Sequence, residues 1–390
     1  MHMLKRTLDL AKFKSSLFLF GPRQVGKTFL IKSTLRPDIY IDLLKQSEFV
    51  RFSLNPELLS AEIKRLNKGN ALVVIDEIQR APSLLNEIHS ILNDFDNIQF
   101  ILTGSSARKL RQKGVNLLGG RAVTTHLYPL TYEELGELFS LDEIIKFGSI
   151  PKIFLEKEID NKIRLMKSYV ETYLTEEIQQ EALLRNIPAF AKFLELAAYE
   201  NGTILNFQNI ARETAVSSKT IKEYFQILED TLLGFYLYPY ARSHRKKLVL
   251  HPKFYFFDCG IVSALKGEAS KTFISGTKEY GRMFEHFVLL EIKRLLDYSE
   301  IEAKLSFFRT ADGAEVDLII ELSDKILAVE IKSSSNPSLS DLRGLRSFIK
   351  DHKYSRAICV CQTPRGFIKE GIEFVSWQEF LEQLKKYKTH

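Results

Sequence analysis

The sequence predicts an α/β protein: a parallel-sheet core, a helical and winged-helix middle, and a C-terminal α/β region. Three observations predict it. A glycine-rich turn joins the apolar run Leu17–Phe20 to a helical stretch beginning at Phe29. A second continuous apolar run, Leu72–Ile75, ends in two adjacent acids. Near the C-terminus, Val316–Ile320 and Ile326–Ile331 read as paired strands around a tight turn. Short apolar runs of this kind suit strands buried on both faces by helices.

The chain has 390 residues, too many for one ordinary domain. Motifs and the pattern of elements divide it into 1–135, 136–200, 201–265 and 266–390. A hydrophobic fraction of 45% is enough to build real cores. The formal net charge of +6 points weakly to an anionic partner. Cys259, Cys359 and Cys361 have no metal-ligand spacing with histidines, so neither a zinc site nor a disulfide scaffold is expected. No uncharged run reaches bilayer length and the first residues lack a cleavable leader pattern, so the expected location is the cytoplasm, without a membrane partner.

The first region carries GPRQVGKT: Gly21, Pro22, Arg23, Gln24, Val25, Gly26, Lys27 and Thr28. A glycine loop between strand and helix turns backbone N–H groups toward phosphate oxygens at the positive end of the helix dipole. Lys27 is placed to reach the β- and γ-phosphates, and the Thr28 hydroxyl to ligate Mg²⁺. At the end of the second apolar run, Asp76 is the expected Mg²⁺ holder through water and Glu77 the general base. A solvated strand end is the bland alternative, but about fifty residues from a glycine loop the pair fits the nucleotide reading better. DIYIDLL, between the two, is another strand candidate.

A third strand over Phe100–Leu102 runs into Thr103, Gly104, Ser105 and Ser106. Thr103 or Ser105 could sense the γ-phosphate; equally, Ser105 or Ser106 could cap a helix carrying Arg108 and Leu110. Arg121 follows Gly119 and Gly120 and precedes a strand over Val123–Tyr128. It reads either as an arginine that neutralises charge in phosphoryl transfer, in cis or from a neighbouring subunit, or as a surface arginine at a turn. Arg23 is a candidate for phosphate or partner contact.

GPRQVGKT, VVIDEIQRAP, LTGSSARKL and LGGR followed by LYPLTYEEL resemble a prokaryotic family of AAA-superfamily ATPases. The resemblance covers essentially the whole chain. It implies a P-loop NTPase core, ATP as the nucleotide, and Lys27, Thr28, Asp76 and Glu77 in the roles above. It also implies a C-terminal region formerly called a domain of unknown function, and no particular substrate.

Past Leu135 the chain becomes helical and charged, with a break at Gly148 and Pro151 that reads as a hinge. LNFQNIARETAVSSKTIKEYFQILEDTLL reads as helix, tight turn, helix. Ile221, Tyr224, Phe225, Leu228 and Leu232 form one apolar stripe, with Ser217 or Ser218 as cap. Two aromatic-rich strands around a basic turn follow, completing a winged-helix pattern. In a DNA reader Lys219, Thr220, Lys222 and Glu223 would face the groove, and Arg242, His244, Arg245, Lys246 and Lys247 the phosphates. A protein-contact module is the other reading.

In the last region Asp317 sits on one strand, and Glu330 and Lys332 share a face of the next. Glu285 lies on the apolar stripe of GRMFEHFVLLEIKRLL, where an ionised carboxylate needs a partner. Together Glu285, Asp317, Glu330 and Lys332 resemble the pattern of the PD-(D/E)xK nuclease superfamily, with Val316-Asp317 in place of proline-aspartate. That resemblance implies a restriction-endonuclease-like fold and metal ligation by Glu285, Asp317 and Glu330, with Mg²⁺ or Mn²⁺. Asp317, Glu330 and Lys332 would then carry phosphodiester cleavage. A structural salt-bridge cluster of Glu285 with Lys332 is the bland alternative. The expectation is an ATP-hydrolysing, DNA-associated protein with a metal-dependent cleavage site. The competing reading is a nucleotide-controlled switch or scaffold that binds a protein partner, its nuclease-like region inert.

Overall fold

The computed structural model describes residues 4–66, 69–106, 118–174, 186–240, 251–310, 313–352 and 355–388. The chain is a mixed α/β protein in two compact units. Met1–Leu130 and Ile227–Leu233 group in the first; the second holds Thr131–Glu177, Leu184–Gln226 and Gly234–His390.

The first unit is built on a five-stranded sheet: β1 Ser16–Phe20, β2 Ile39–Asp42, β3 Ala71–Asp76, β4 Ile98–Gly104 and β5 Ala122–His126. Their order is β2-β3-β4-β1-β5. Every pairing is parallel. DIYIDLL supplies β2. Strand β4 lies between β1 and β3, so the loop after β1 and the acids after β3 flank the tip of β4. Parallel strands need crossover helices, which cover the sheet faces. All five residues of β1 are accordingly buried. Phe18, Phe20, Ile75, Ile88, Phe100 and Leu102 share one core.

The second unit holds an eight-stranded mixed sheet: β6 Gly234–Pro239, β7 Lys253–Phe256, β8 Lys304–Arg309, β9 Glu315–Glu321, β10 Ile326–Ile331, β11 Ser355–Cys361, β12 Phe367–Lys369 and β13 Ile372–Ser376. Their order is β12-β13-β11-β10-β9-β8-β6-β7. Strands β9 and β10 form the expected antiparallel pair, with Val329 opposite Leu318. Helices Ile187–Tyr199, Phe207–Thr214 and Ser218–Asp230 precede β6 and β7, which pair antiparallel. Ser217 accepts from the Thr220 amide at 3.1 Å and so caps the third helix. Ile221, Tyr224, Phe225 and Leu228 of that helix are buried. The hairpin does not stand apart, because Tyr238 and Pro239 of β6 pair with Ser306 and Phe307 of β8. A cut between 265 and 266, expected from the element pattern, therefore falls inside one sheet.

The break at Gly148 is not a loose joint. Its φ is +73°, and a Cβ there would meet Asp258 Oδ1 at 1.8 Å. Asp258 is buried and caps the helix Cys259–Leu265, accepting from the Gly260 amide at 2.9 Å and the Ser149 amide at 2.7 Å. Residue 148 is glycine for close approach, and the segment is locked by a buried carboxylate.

Candidate functional site: a glycine-loop nucleotide site and a buried carboxylate cluster

The loop after β1 folds as its glycines dictate. A Cβ on Gly21 would lie 2.3 Å from the Leu127 carbonyl oxygen, so only glycine fits. Gln24 and Gly26 take left-handed conformations, with φ 61° and 98°. Arg6 braces the loop, donating to the Val25 carbonyl at 2.7 Å and the Tyr128 carbonyl at 2.6 Å. Lys27 opens the helix Lys27–Thr34 and is buried. Its ammonium donates to the carbonyls of Gly21 at 2.7 Å and Pro22 at 3.0 Å. Burial lowers its pKa, opposed by the charges of Glu77 and Asp76.

The acids stand at the carboxyl end of β3. Asp76 Oδ2 accepts from the Thr28 hydroxyl at 2.7 Å and from the Tyr40 hydroxyl at 2.7 Å. Its Oδ1 accepts from Thr103, whose oxygen in turn accepts from the Glu77 amide at 3.1 Å. Burial and the bond to Asp76 push the Tyr40 phenol far above its usual range. Glu77 sits at φ 62°, a left-handed backbone rare outside glycine. Its carboxylate accepts from Gln79 Nε2, and from the Ser105 hydroxyl at 3.4 Å. Gln79 Nε2 also donates to Ser105 Oγ at 3.0 Å.

The structure thus brings Lys27, Thr28, Asp76, Glu77, Thr103 and Ser105 together, with hard oxygen donors from Thr28 and Asp76 that fit Mg²⁺. A helix beginning after Ser106 would lie outside the described residues. Arg121 is a correction. Strand β5 runs parallel to β1, with Ala122 opposite Ser16 and His126 opposite Phe20. Arg121 therefore lies at the amino end of the sheet, whereas the loop leaves its carboxyl end. At about 3.3 Å per residue the separation along the strands is roughly 16 Å. It is an exposed turn residue and not a cis arginine for this loop. Sequence reasoning missed Tyr40, Gln79 and Arg6. Tyr40 lies on β2 beside β3, and that pairing is the only signal that could have found it.

In the second unit Glu285, Asp317, Glu330 and Lys332 also converge, but on different partners than expected. Lys332 Nζ lies 2.5 Å from Glu330 Oε1 and 4.0 Å from Asp317 Oδ2. Asp317 Oδ2 also accepts from the Ile331 amide at 2.8 Å. Glu285 is matched not by Lys332 but by two residues of β7: the Tyr255 hydroxyl donates to it at 2.6 Å, and Lys253 Nζ lies 3.8 Å away. Lys253 is buried and also lies 2.6 Å from Glu315 Oε1. Burial beside Asp317 pushes Glu285 up to about 7 and Glu330 up to about 8. The surrounding carboxylates hold Lys253 and Lys332 charged, well above the usual lysine range despite burial. A cavity of about 210 Å³ opens beside Lys253, Glu285, Glu315 and Asp317, with Arg282 and Arg309 also in its lining.

Here the expected Mg²⁺ or Mn²⁺ set of Glu285, Asp317 and Glu330 does not fit as folded. Among the described residues no three His, Cys, Asp or Glu side chains form a metal-ligand group. Two ammonium groups stand among the carboxylates. Of the oxygens, Glu330 Oε2 is buried with no hydrogen-bond partner among the described residues. Lys253, Tyr255 and Glu315 were not foreseen, since nothing in a strand-end lysine marks its partners.

Of the expected DNA-contacting residues, Lys219 and Lys222 are exposed on the helix Ser218–Asp230. Arg242, His244, Arg245, Lys246 and Lys247 lie outside the described residues. Among the described residues, no helix is long and apolar enough to cross a membrane.

Comparisons with known proteins follow this geometry. Residues 14–136 match the family model of the AAA domain. Residues 138–272 match a domain of unknown function, DUF8612, and residues 280–380 another, DUF4143. An uncharacterized protein of Mycobacterium tuberculosis is 26% identical over 360 residues, covering 92% of this chain and 78% of its own. One from Methanocaldococcus jannaschii is 25% identical over 367 residues, covering 86% and 79%. Among solved structures, a Vibrio cholerae protein aligns at 12% identity with a TM-score of 0.22, covering 96% of this chain and 98% of that one, a similarity too low to inform the fold. The loop, the acids and the family match agree: residues 14–136 form an AAA-like domain, a nucleotide-binding module.

Proposed function

We propose that the chain binds ATP with Mg²⁺ at the glycine loop and hydrolyses it. The observation that carries this is the 2.7 Å bond from Thr28 to Asp76, which joins the loop to the acids across the sheet. Mg²⁺, when bound, neutralises the triphosphate and polarises its terminal phosphoryl group. Thr28 and Asp76 would hold it, Asp76 through water. Lys27 is already desolvated and, among the described residues, its ammonium donates to carbonyl oxygens, so exchanging them for phosphate oxygens gains a charge pair. Glu77 orients and deprotonates the attacking water. Gln79 and Ser105 hold its carboxylate beforehand, and Thr103 fixes both acids. The test is phosphate release from ATP by the full chain. Lys27→Ala is expected to reduce it to background; undiminished release by that variant overturns the reading.

We also propose DNA association through the second unit. Its support is the helix–turn–helix with exposed Lys219 and Lys222, followed by the β6–β7 hairpin. Binding is expected to weaken steeply with salt, as phosphate contacts do, in a gel-shift titration. Salt-insensitive capture of a protein instead would favour the switch or scaffold reading. The ammonium groups among Glu285, Asp317 and Glu330 favour a cluster that does not cleave as folded.

A further inference from the structure

We infer that Arg6, which lies ahead of the first strand, is a positioning residue for nucleotide: it holds the Val25–Gly26 peptide of the glycine loop in its phosphate-binding orientation. The inference rests on the nucleotide-binding reading above and names a determinant of affinity at that site.

The loop contains a peptide that is free to turn over. Gly26 stands at φ 98°. Glycine adopts either sign of φ about equally readily, so sterics alone do not fix the peptide between Val25 and Gly26. In a planar trans peptide the carbonyl and the following N–H point in opposite directions. Among the described residues no peptide bond is cis. Where the Val25 carbonyl points therefore decides where the Gly26 N–H points. Gly26 is the N-cap of the helix Lys27–Thr34, so its amide is one of the N–H groups that a phosphate meets at a helix start. A flipped peptide would present a carbonyl oxygen to the phosphates in place of that donor.

Arg6 holds the carbonyl. Its Nη1 donates to the Val25 carbonyl at 2.7 Å and its Nη2 to the Tyr128 carbonyl at 2.6 Å. Both are short, charge-assisted bonds. Val25 is fully buried, so a carbonyl stripped of the guanidinium would be left without water to replace it. A Cβ on Gly26 would come 3.7 Å from Arg6 Nη1, so the guanidinium lies directly against the glycine. The second bond fixes the fork. Tyr128 follows Leu127, whose amide donates to the Phe20 carbonyl at 2.7 Å and whose own carbonyl abuts Gly21. One planar group thus spans the end of the loop and the chain segment against which its first glycine rests. Its anchor is stiff: Leu8 and Leu10 are buried, and Asp9 caps the turn Leu10–Lys12 by accepting from the Ala11 amide at 2.9 Å. A lysine ammonium lacks this rigid two-pronged geometry.

The test uses the full chain and equilibrium dialysis of radiolabelled ADP and ATP. Arg6→Met, which keeps an unbranched stem and removes the fork, is expected to raise Kd for both nucleotides about tenfold, the scale of one lost hydrogen bond to a charged group. In steady-state hydrolysis KM for ATP is expected to rise by a similar factor with kcat within about twofold of the parent, the pattern of lost uniform binding. Arg6→Lys is expected to fall between the two, which keeps the inference testable where Arg6→Met unfolds. In Arg6→Gly, added methylguanidinium, below denaturing concentrations, is expected to restore affinity, and methylammonium is not. A purely structural role would move the melting temperature and the active fraction, and not the Kd of the folded chain. Folded variants with the parent's Kd overturn the inference. So does a loss of kcat with KM unchanged, and so do variants that stay unfolded in saturating ADP. A parent that binds neither nucleotide overturns the underlying reading as well, which keeps the two failures apart.

Discussion

Two acidic constellations stand in this chain, and they differ in what answers the acids. At the glycine loop, Asp76 and Glu77 accept from neutral donors: the hydroxyls of Thr28, Tyr40, Thr103 and Ser105, and the Gln79 amide. In the second unit ammonium groups stand beside Glu285, Glu315 and Glu330, although Glu285 also accepts from the neutral Tyr255 hydroxyl. Neutral donors orient a carboxylate and leave its charge available, whereas ammonium groups cancel it. Under the proposed Mg²⁺-dependent reading, the same residue type is thus presented to a metal in one unit and withheld in the other.

The comparison breaks most readily at Glu77. Removing its charge with Glu77→Gln is expected to lower ATP turnover about 100-fold or more, the usual scale of a lost general base. Nucleotide binding, followed by fluorescence of a labelled ATP analogue, is expected to persist. Loss of binding and turnover together would make Glu77 structural.

The ammonium side is tested by stability. Lys253→Ala removes a buried partner and leaves uncompensated charge, an effect of about 3–5 kcal/mol. Lys332, with its side chain 30% exposed, is expected to matter less. Urea denaturation of the two variants orders them, and an equal or reversed order would relocate the charge balance.

pH sharpens the contrast. Glu285 and Glu330 are raised in the folded state, to about 7 and about 8, from an ordinary value of 4.5. The native state therefore binds protons more tightly than the unfolded chain. Their contribution to stability is full below pH 4.5 and is lost as pH rises through the folded values. Urea midpoints are expected to fall between pH 5 and pH 8, and Glu285→Gln to flatten the fall at its lower end.

The smallest expected effect belongs to Tyr40. Tyr40→Phe deletes one of the donors to Asp76, about 1 kcal/mol for a single hydrogen bond. A several-fold rise in the Mg²⁺ concentration needed for half-maximal ATP turnover would show it.

How much of this was legible in the sequence follows from where the partners lie. Lys27 and Thr28 sit in one contiguous segment, and Asp76 ends an apolar run, so backbone pattern alone locates them. Tyr40 reaches Asp76 across 36 positions and Lys253 reaches Glu315 across a change of strand, and no local periodicity encodes such meetings. Arg121 shows the converse: its glycines read well as a turn, but the strand register decided which end of the sheet it occupies. The hinge expected at Gly148 failed because a glycine at a positive φ looks the same in sequence whether it bends freely or admits a close neighbour.

The shared sheet bears on how such a chain can be inherited. One family match ends at residue 272 and the next begins at residue 280, yet β6 belongs to the former and its neighbour β8 to the latter. A gene fragment stopping between them would encode a hairpin whose inner edge lacks a mate, an aggregation-prone surface. The two stretches are therefore expected to travel through genomes as a single cassette, and to be expressible together but not apart.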